Sequence, residues 1–202
     1  MTDKTRKFYS IKDEVRIVGF DDGPFTFRQK EPILVVGAIT RGGSYLDGVL
    51  STTVSPDGLD STERIVEVIN KTRFKDLRII MTDGLSFGGF NMVDLPKIFD
   101  ETGLPAICVV REYPDFEKVK KTLTELFDDH TERWQCIENA GKPISVTIRP
   151  TKKIFIQFSG IAERDAKEIV KMSATHSLLP EPIRLAHLIA QGIVMGESKG
   201  KA

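Results

Sequence analysis

The sequence lacks net charge: 29 Lys and Arg are matched by 29 Asp and Glu over 202 residues. A protein drawn to nucleic acid by a global positive field is therefore not expected, and any such partner has to be met by a local site. Cysteine is scarce. Cys108 and Cys136 form neither a metal-type spacing nor a disulfide framework, so the expected compartment is reducing and cytoplasmic. No run of about 18 apolar residues occurs, and the polar opening Met1-Thr2-Asp3-Lys4 carries no secretory apolar segment, so neither membrane insertion nor export is expected. Repeats, low-complexity tracts and linker-like pools of Pro and Gly are also missing. What remains is one domain over residues 1–202, 40% hydrophobic and large enough to bury a full core. Residues 1–14 are expected to be frayed, with Phe8 and Tyr9 packing locally.

Apolar periodicity sets the order of elements. Residues 15–20 read as a buried strand stopped by Asp21-Asp22-Gly23-Pro24, and 32–40 and 45–54 as two further strands around the glycine turn at 41–44. The period then changes. Ile65, Val66, Val68 and Ile69 share one side of a helix over 60–71, and fully apolar strands at 77–81 and 106–110 flank a second helix over 91–102. Helices at 116–127, 130–140, 163–172 and 181–195 and short strands at 145–148 and 154–158 complete the chain. Apolar strands alternating with helices indicate parallel βαβ units. The fold expected is α/β and ribonuclease H-like: a mixed sheet of three antiparallel strands followed by βαβ units, helices on both faces, and the first strand at its centre.

Asp21 and Asp83 each follow a buried strand, and the proposed topology makes those strands neighbours. Strand ends of an open sheet face the ligand crevice, so the carboxylates would converge at about one strand spacing, roughly 5 Å. Two such carboxylates repel unless a cation lies between them. Mg²⁺ or Mn²⁺ suits the pair, because Mg²⁺ accepts one or two carboxylates and keeps waters for a phosphate. Two ions of this kind serve phosphodiester hydrolysis. The competing reading is that Asp-Asp-Gly-Pro and Asp-Gly are ordinary turn sequences.

Further candidates are less specific. Glu63 is a third carboxylate for the metal, and Asp60 with Glu63 also spells a capping box, which is the role preferred for Asp60. The stretch 84–90 has neither a Gly-Lys-Ser/Thr phosphate loop nor a dinucleotide fingerprint. Gly84 can still bring backbone close to a ligand beside Asp22, with Asn91 capping the next helix. Arg111, ending the strand at 106–110, can pair a phosphate or neutralise Asp83. Lys142, Arg149, Lys152 and Lys153 fall in a segment free of acidic residues, 142–153, which can track a phosphate backbone or form a solvated face. His130, His176 and His187 lack ligand spacing and read as surface or interface residues.

Four motifs in order resemble a largely archaeal family known as domain of unknown function 99: Val-Gly-Phe-Asp-Asp-Gly-Pro-Phe (18–25), Arg-Gly-Gly-x-x-x-Asp-Gly-Val-Leu (41–50), Asp-Gly-Leu-Asp-x-Thr (57–62) and Asp-Gly-x-x-Phe-x-Gly-Phe-Asn (83–91). A more distant resemblance is to endonuclease V, a magnesium-dependent nuclease acting at deaminated adenine. Gly19-Phe20-Asp21, Glu63, Asp83-Gly84 and the strand from Pro105 to Arg111 are similar to its catalytic segments. Leu179-Pro180-Glu181-Pro182-Ile183-Arg184-Leu185-Ala186-His187 resembles its closing Leu-Pro-Glu-Pro-x-Arg-Leu-Ala-Asp. The resemblance implies metal at Asp21, Asp83 and Glu63, and a phosphodiester in DNA or RNA as substrate. Several parts are absent. That family's His-Pro-Arg segment is Gly88-Gly89-Phe90 here, its aromatic-proline wedge has no counterpart before Glu63, and its late Gly-His pair is Gly160-Ile161, beside which Glu163 and Asp165 are candidate ligands. The alternative is a non-catalytic protein that binds nucleic acid or a phosphate ligand with the fold alone.

Overall fold

The computed structural model describes residues 5, 6, 8 and 10–199. The chain runs β1 (Arg16–Asp22), β2 (Ile33–Arg41), β3 (Tyr45–Val54), α1 (Ser61–Lys71), β4 (Ile79–Asp83), β5 (Ser86–Phe87), β6 (Asn91–Met92), α2 (Leu95–Thr102), β7 (Ala106–Val110), α3 (Phe116–Leu126), α4 (His130–Asn139), β8 (Ile144–Arg149), β9 (Lys152–Ser159), α5 (Glu163–Ser173) and α6 (Glu181–Met195). Seven strands form one mixed sheet in the order β3-β2-β1-β4-β7-β9-β8, and β5 and β6 pair separately. β1 is antiparallel to β2 and parallel to β4, and β4 is parallel to β7. The expected α/β fold and its antiparallel start are therefore observed. The centre is β4 rather than β1, because β9 and β8 add beyond β7 and extend the sheet on that side.

Both faces of the sheet are buried, which is why β1, β4 and β7 read as continuous apolar runs. Val18, Phe20, Ile80 and Cys108 pack on one face with Ile65 of α1 and Ile98 of α2. Ile17, Met81, Ile107 and Val109 pack on the other with Ile169 of α5 and Ile183 of α6. Gly19 sets how closely α6 approaches: a Cβ there would stand 2.4 Å from the Pro182 carbonyl carbon and 2.5 Å from the Ile183 nitrogen.

Local corrections have physical causes. β1 runs on through Asp21 and Asp22, which pair with Val36 and Val35 instead of turning. The helix expected over 91–102 begins only at Leu95, behind an Asp94 side chain that accepts from the Lys97 amide, and Asn91 belongs to the small β5–β6 hairpin. The described part of the segment before β1 is docked rather than frayed: the Arg6 amide donates to the Gly160 carbonyl, and Phe8 and Ile11 join the α5–α6 core. Tyr9 lies outside the described residues. Among the described residues no helix is long and apolar enough to cross a membrane.

A candidate active site at the carboxyl ends of β1 and β4

The parallel register aligns Phe20 with Thr82, so Asp21 and Asp83 follow side by side at the same end of neighbouring strands. Asp21 is 5% exposed. Burial is the main cause that pushes the Asp83 carboxyl up to about 7, and the Asp21 charge adds to it, while Arg111 and His187 partly offset the rise. Asp22 is raised to about 6, again first by burial; it accepts from the Gly88 amide at 2.5 Å, which ties the glycine loop to β1. Three acids thus crowd one edge with too little positive charge among the described residues around them.

His187 lies within this group. From α6 its Nδ1 stands 2.7 Å from Asp21 Oδ2, and that hydrogen bond holds the imidazole pKa above its ordinary value. The expectation of a surface or interface histidine misses this contact: α6 crosses directly over β1 at Gly19 and brings the partly exposed His187 onto the strand end. One signal was legible. His187 is four residues after the buried Ile183 and three before the buried Ala190, so it is a polar residue on an apolar helix face.

The other candidates separate. Glu63 is exposed on α1, where it is ion-paired with Lys97 of α2. Asp60 sits at the N-cap of α1 but makes no side-chain cap; its carboxylate instead accepts from the Ser55 amide at 3.0 Å and from Asn91 Nδ2 at 2.6 Å. The cap comes from Asn91, whose Oδ1 accepts from the Ser61 amide at 2.9 Å. Asn91 therefore serves α1 and not the helix after it, because the β5–β6 hairpin carries it across to the loop before α1. Gly84, with φ of 78°, follows Asp83 at the mouth of a cavity of about 230 Å³ lined by Ser86, Phe90, Val110, Phe116 and Gln157 among others.

β9 runs antiparallel to β7, with Phe155 opposite Val110. Its hairpin with β8 therefore rises at the same end of the sheet as Asp83, two strands away, carrying Arg149, Lys152 and Lys153. Lys142 is apart from them, next to Gly141, whose carbonyl accepts from Gln157 midway along β9. The same antiparallel run puts the end of β9 at the amino end of β7, where Ala106 faces Ser159. Glu163 and Asp165 follow there, across the sheet from the aspartates, and the expectation that either is a late ligand fails.

Sheet order and helix placement define a protein of the endonuclease V fold. Human endonuclease V superposes with a TM-score of 0.61 at 13% identity, covering 96% of this chain and 92% of that one. An endonuclease V from Ciona intestinalis, solved with an inosine-containing DNA, gives 0.56 at 13% identity over 85% and 82%. More specifically, the chain belongs to the endonuclease dU family, whose model matches residues 13–194. A UPF0215 protein of Methanothermobacter thermautotrophicus is 50% identical over 98% of this chain and 97% of its own. A structure of a protein of unknown function from Archaeoglobus fulgidus has a TM-score of 0.78 at 34% identity, over 88% and 97% of the two chains.

Proposed function

We propose that this protein is a metal-dependent endonuclease that hydrolyses a phosphodiester in nucleic acid, with deoxyuridine-containing DNA, which the family's description suggests, as the first substrate to test. The observation that carries the reading is that Asp21, buried, and Asp83, half-buried, stand side by side at the ends of neighbouring parallel strands. A carboxyl held near 7 by burial and a like charge gains most from a cation, and oxygen donors suit Mg²⁺ or Mn²⁺. Among the described residues no cluster of three or more His, Cys, Asp or Glu side chains could hold an ion. The fit is thus to an ion taking two carboxylates, with water and phosphate oxygens completing it, the usual arrangement for Mg²⁺. Such an ion would supply charge for the phosphate and a more acidic water.

The chain's own groups have separable tasks. Asp21 and Asp83 hold the ion. His187 fixes the Asp21 carboxylate through its Nδ1 proton, as outer hydrogen bonds commonly do for ligands. Arg111, close enough to influence Asp83, meets a phosphate oxygen, and the Arg149, Lys152 and Lys153 hairpin follows the backbone. The cavity past Gly84 has the size and apolar lining for a single base, with Ser86 and Gln157 as polar groups.

The test is incubation with Mn²⁺ or Mg²⁺ and labelled oligonucleotides carrying deoxyuridine, deoxyinosine or only normal bases, beside the Asp83→Asn variant. Cleavage by wild type alone supports the reading. No cleavage of any strand sinks it and leaves the binding-only alternative, and equal cleavage by the variant sinks the assignment of the chemistry to Asp21 and Asp83.

A further inference from the structure

The β1–β2 connection leaves the strand one residue after Asp22 and is exposed from Pro24 to Arg28. Phe27 is 87% exposed and Phe25 42%. Exposing two phenylalanines on one short loop is unfavourable unless something covers them. The loop is held by its own contacts: the Gln29 amide donates to the Thr26 carbonyl at 3.0 Å, and the Gln29 side chain accepts from the Thr26 amide at 3.3 Å. Arg28 lies over the Phe27 ring at 5.1 Å, and Lys30 follows. Behind the loop is a cleft of about 160 Å³ whose apolar wall includes Phe25, Phe27, Pro56, Phe90, Leu126 and Phe127. Its floor is Gly88-Gly89, held to Asp22 by the Gly88 amide.

Resting on the nuclease reading, we propose that this loop is a stacking platform for unpaired bases of the nucleic acid: Phe27 and Phe25 take the base faces, and Arg28 and Lys30 take the phosphates. Aromatic rings interleaved with cations are the chemistry that holds single strands without reading sequence. The position is suitable, since a strand lying on the loop reaches Asp21 and Asp83 by following β1 inward. The same patch would not suit a duplex side, whose stacked bases present no open faces. The platform adds an exposed aromatic element to a chain whose sequence has no aromatic-proline segment ahead of Glu63.

The measurement is fluorescence anisotropy of a labelled single-stranded oligonucleotide and its duplex, in EDTA so that nothing is cut, as a function of salt. Phe25→Ala with Phe27→Ala is expected to weaken single-strand binding about tenfold or more, with the salt slope unchanged, and Phe27→Trp to retain it. Arg28→Ala with Lys30→Ala is expected to lower the salt slope by about one to two. Tyr45→Ala, an exposed aromatic at the other end of the sheet, is the control and should bind like wild type. If the double phenylalanine variant binds single strands as wild type does, the platform is wrong while the nuclease reading stands. If that substitution instead converts a dimer to a monomer without affecting oligonucleotide binding, the patch joins two copies and the proposal is overturned. If wild type binds no single strand under these conditions the platform is overturned, and the nuclease reading is judged separately by its metal-dependent cleavage assay.

Discussion

The two ends of the sheet treat charge in opposite ways. At the amino end Arg16 pairs with both Asp47, at 2.5 Å, and Asp76, and Arg41 shares Asp47 at 2.9 Å. The hydrogen bond from Arg41 is the first reason the Asp47 carboxyl lies below its ordinary value. Those charges are paired within the chain. At the carboxyl end Asp21, Asp22 and Asp83 crowd together, with His187 and Arg111 as partial relief, and two of the three carboxyls are pushed up rather than down. A fold that pairs its acids at one end and leaves them in conflict at the other keeps the conflict for something outside the chain. Perturbed groups at a strand-end crevice are the usual mark of such a site.

The largest expected effect separates the ends most clearly. Asp83→Asn should abolish metal-dependent cleavage, by about a thousandfold or more on the scale of losing a principal electrostatic group, while raising the thermal midpoint of the metal-free protein at neutral pH. At the paired end, Asp47→Ala should lower that midpoint by a few degrees because Arg16 loses a partner, and leave cleavage within about twofold. Parallel cleavage assays and melting curves check both.

Gly19→Ala tests whether the site depends on the approach of α6. The added methyl meets Pro182 and Ile183 backbone, so a loss of about 1–3 kcal/mol or more is expected in denaturant unfolding, together with weakened cleavage as His187 moves off Asp21. His187→Gln should be milder for stability and cost about ten- to hundredfold in activity, the range for an outer partner of a ligand.

The smallest effect is a pH slope. Asp83 is raised from 3.8 to about 7, so the folded chain retains a proton that the unfolded chain has released, and metal-free stability should fall as pH rises from about 4 to about 7. Asp22, raised to about 6, acts in the same direction. His187, also raised, contributes stability below its ordinary value of 6.5 that is lost as pH climbs through its folded value. Urea midpoints across that range should decline without metal and flatten in Asp83→Asn. A metal-free slope of the opposite sign would remove the charge conflict from the account.

Much of this contrast was legible in the sequence. Apolar runs broken by Asp-Gly pairs located β1 and β4, and the change from strand to helix period after Val54 set the parallel crossover that makes Asp21 and Asp83 neighbours. Helix and strand ends slipped where tertiary contacts outweigh local preference, as at Asn91, whose side chain caps a helix 30 positions earlier in the chain. The pairing of His187 was missed because its partner is 166 residues away; its place on an apolar helix face marks the residue but not the partner. Arg133 was also missed. It is buried, donates to the carbonyls of Asp57, Gly58 and Phe90 and to Asp129, and thereby joins the loop before α1, the glycine loop and α4. That role follows from two loops and a helix meeting in space and leaves no trace in periodicity.

The central claim, that Asp21 and Asp83 together hold one divalent cation, is tested most directly by titrating the protein with Mn²⁺ and following the free-ion signal by electron paramagnetic resonance. Wild type should remove Mn²⁺ from solution stoichiometrically, Mg²⁺ should compete, and Asp21→Asn and Asp83→Asn should each leave the signal of the free ion. Wild type that leaves Mn²⁺ free, or either variant that binds it as wild type does, would contradict the account.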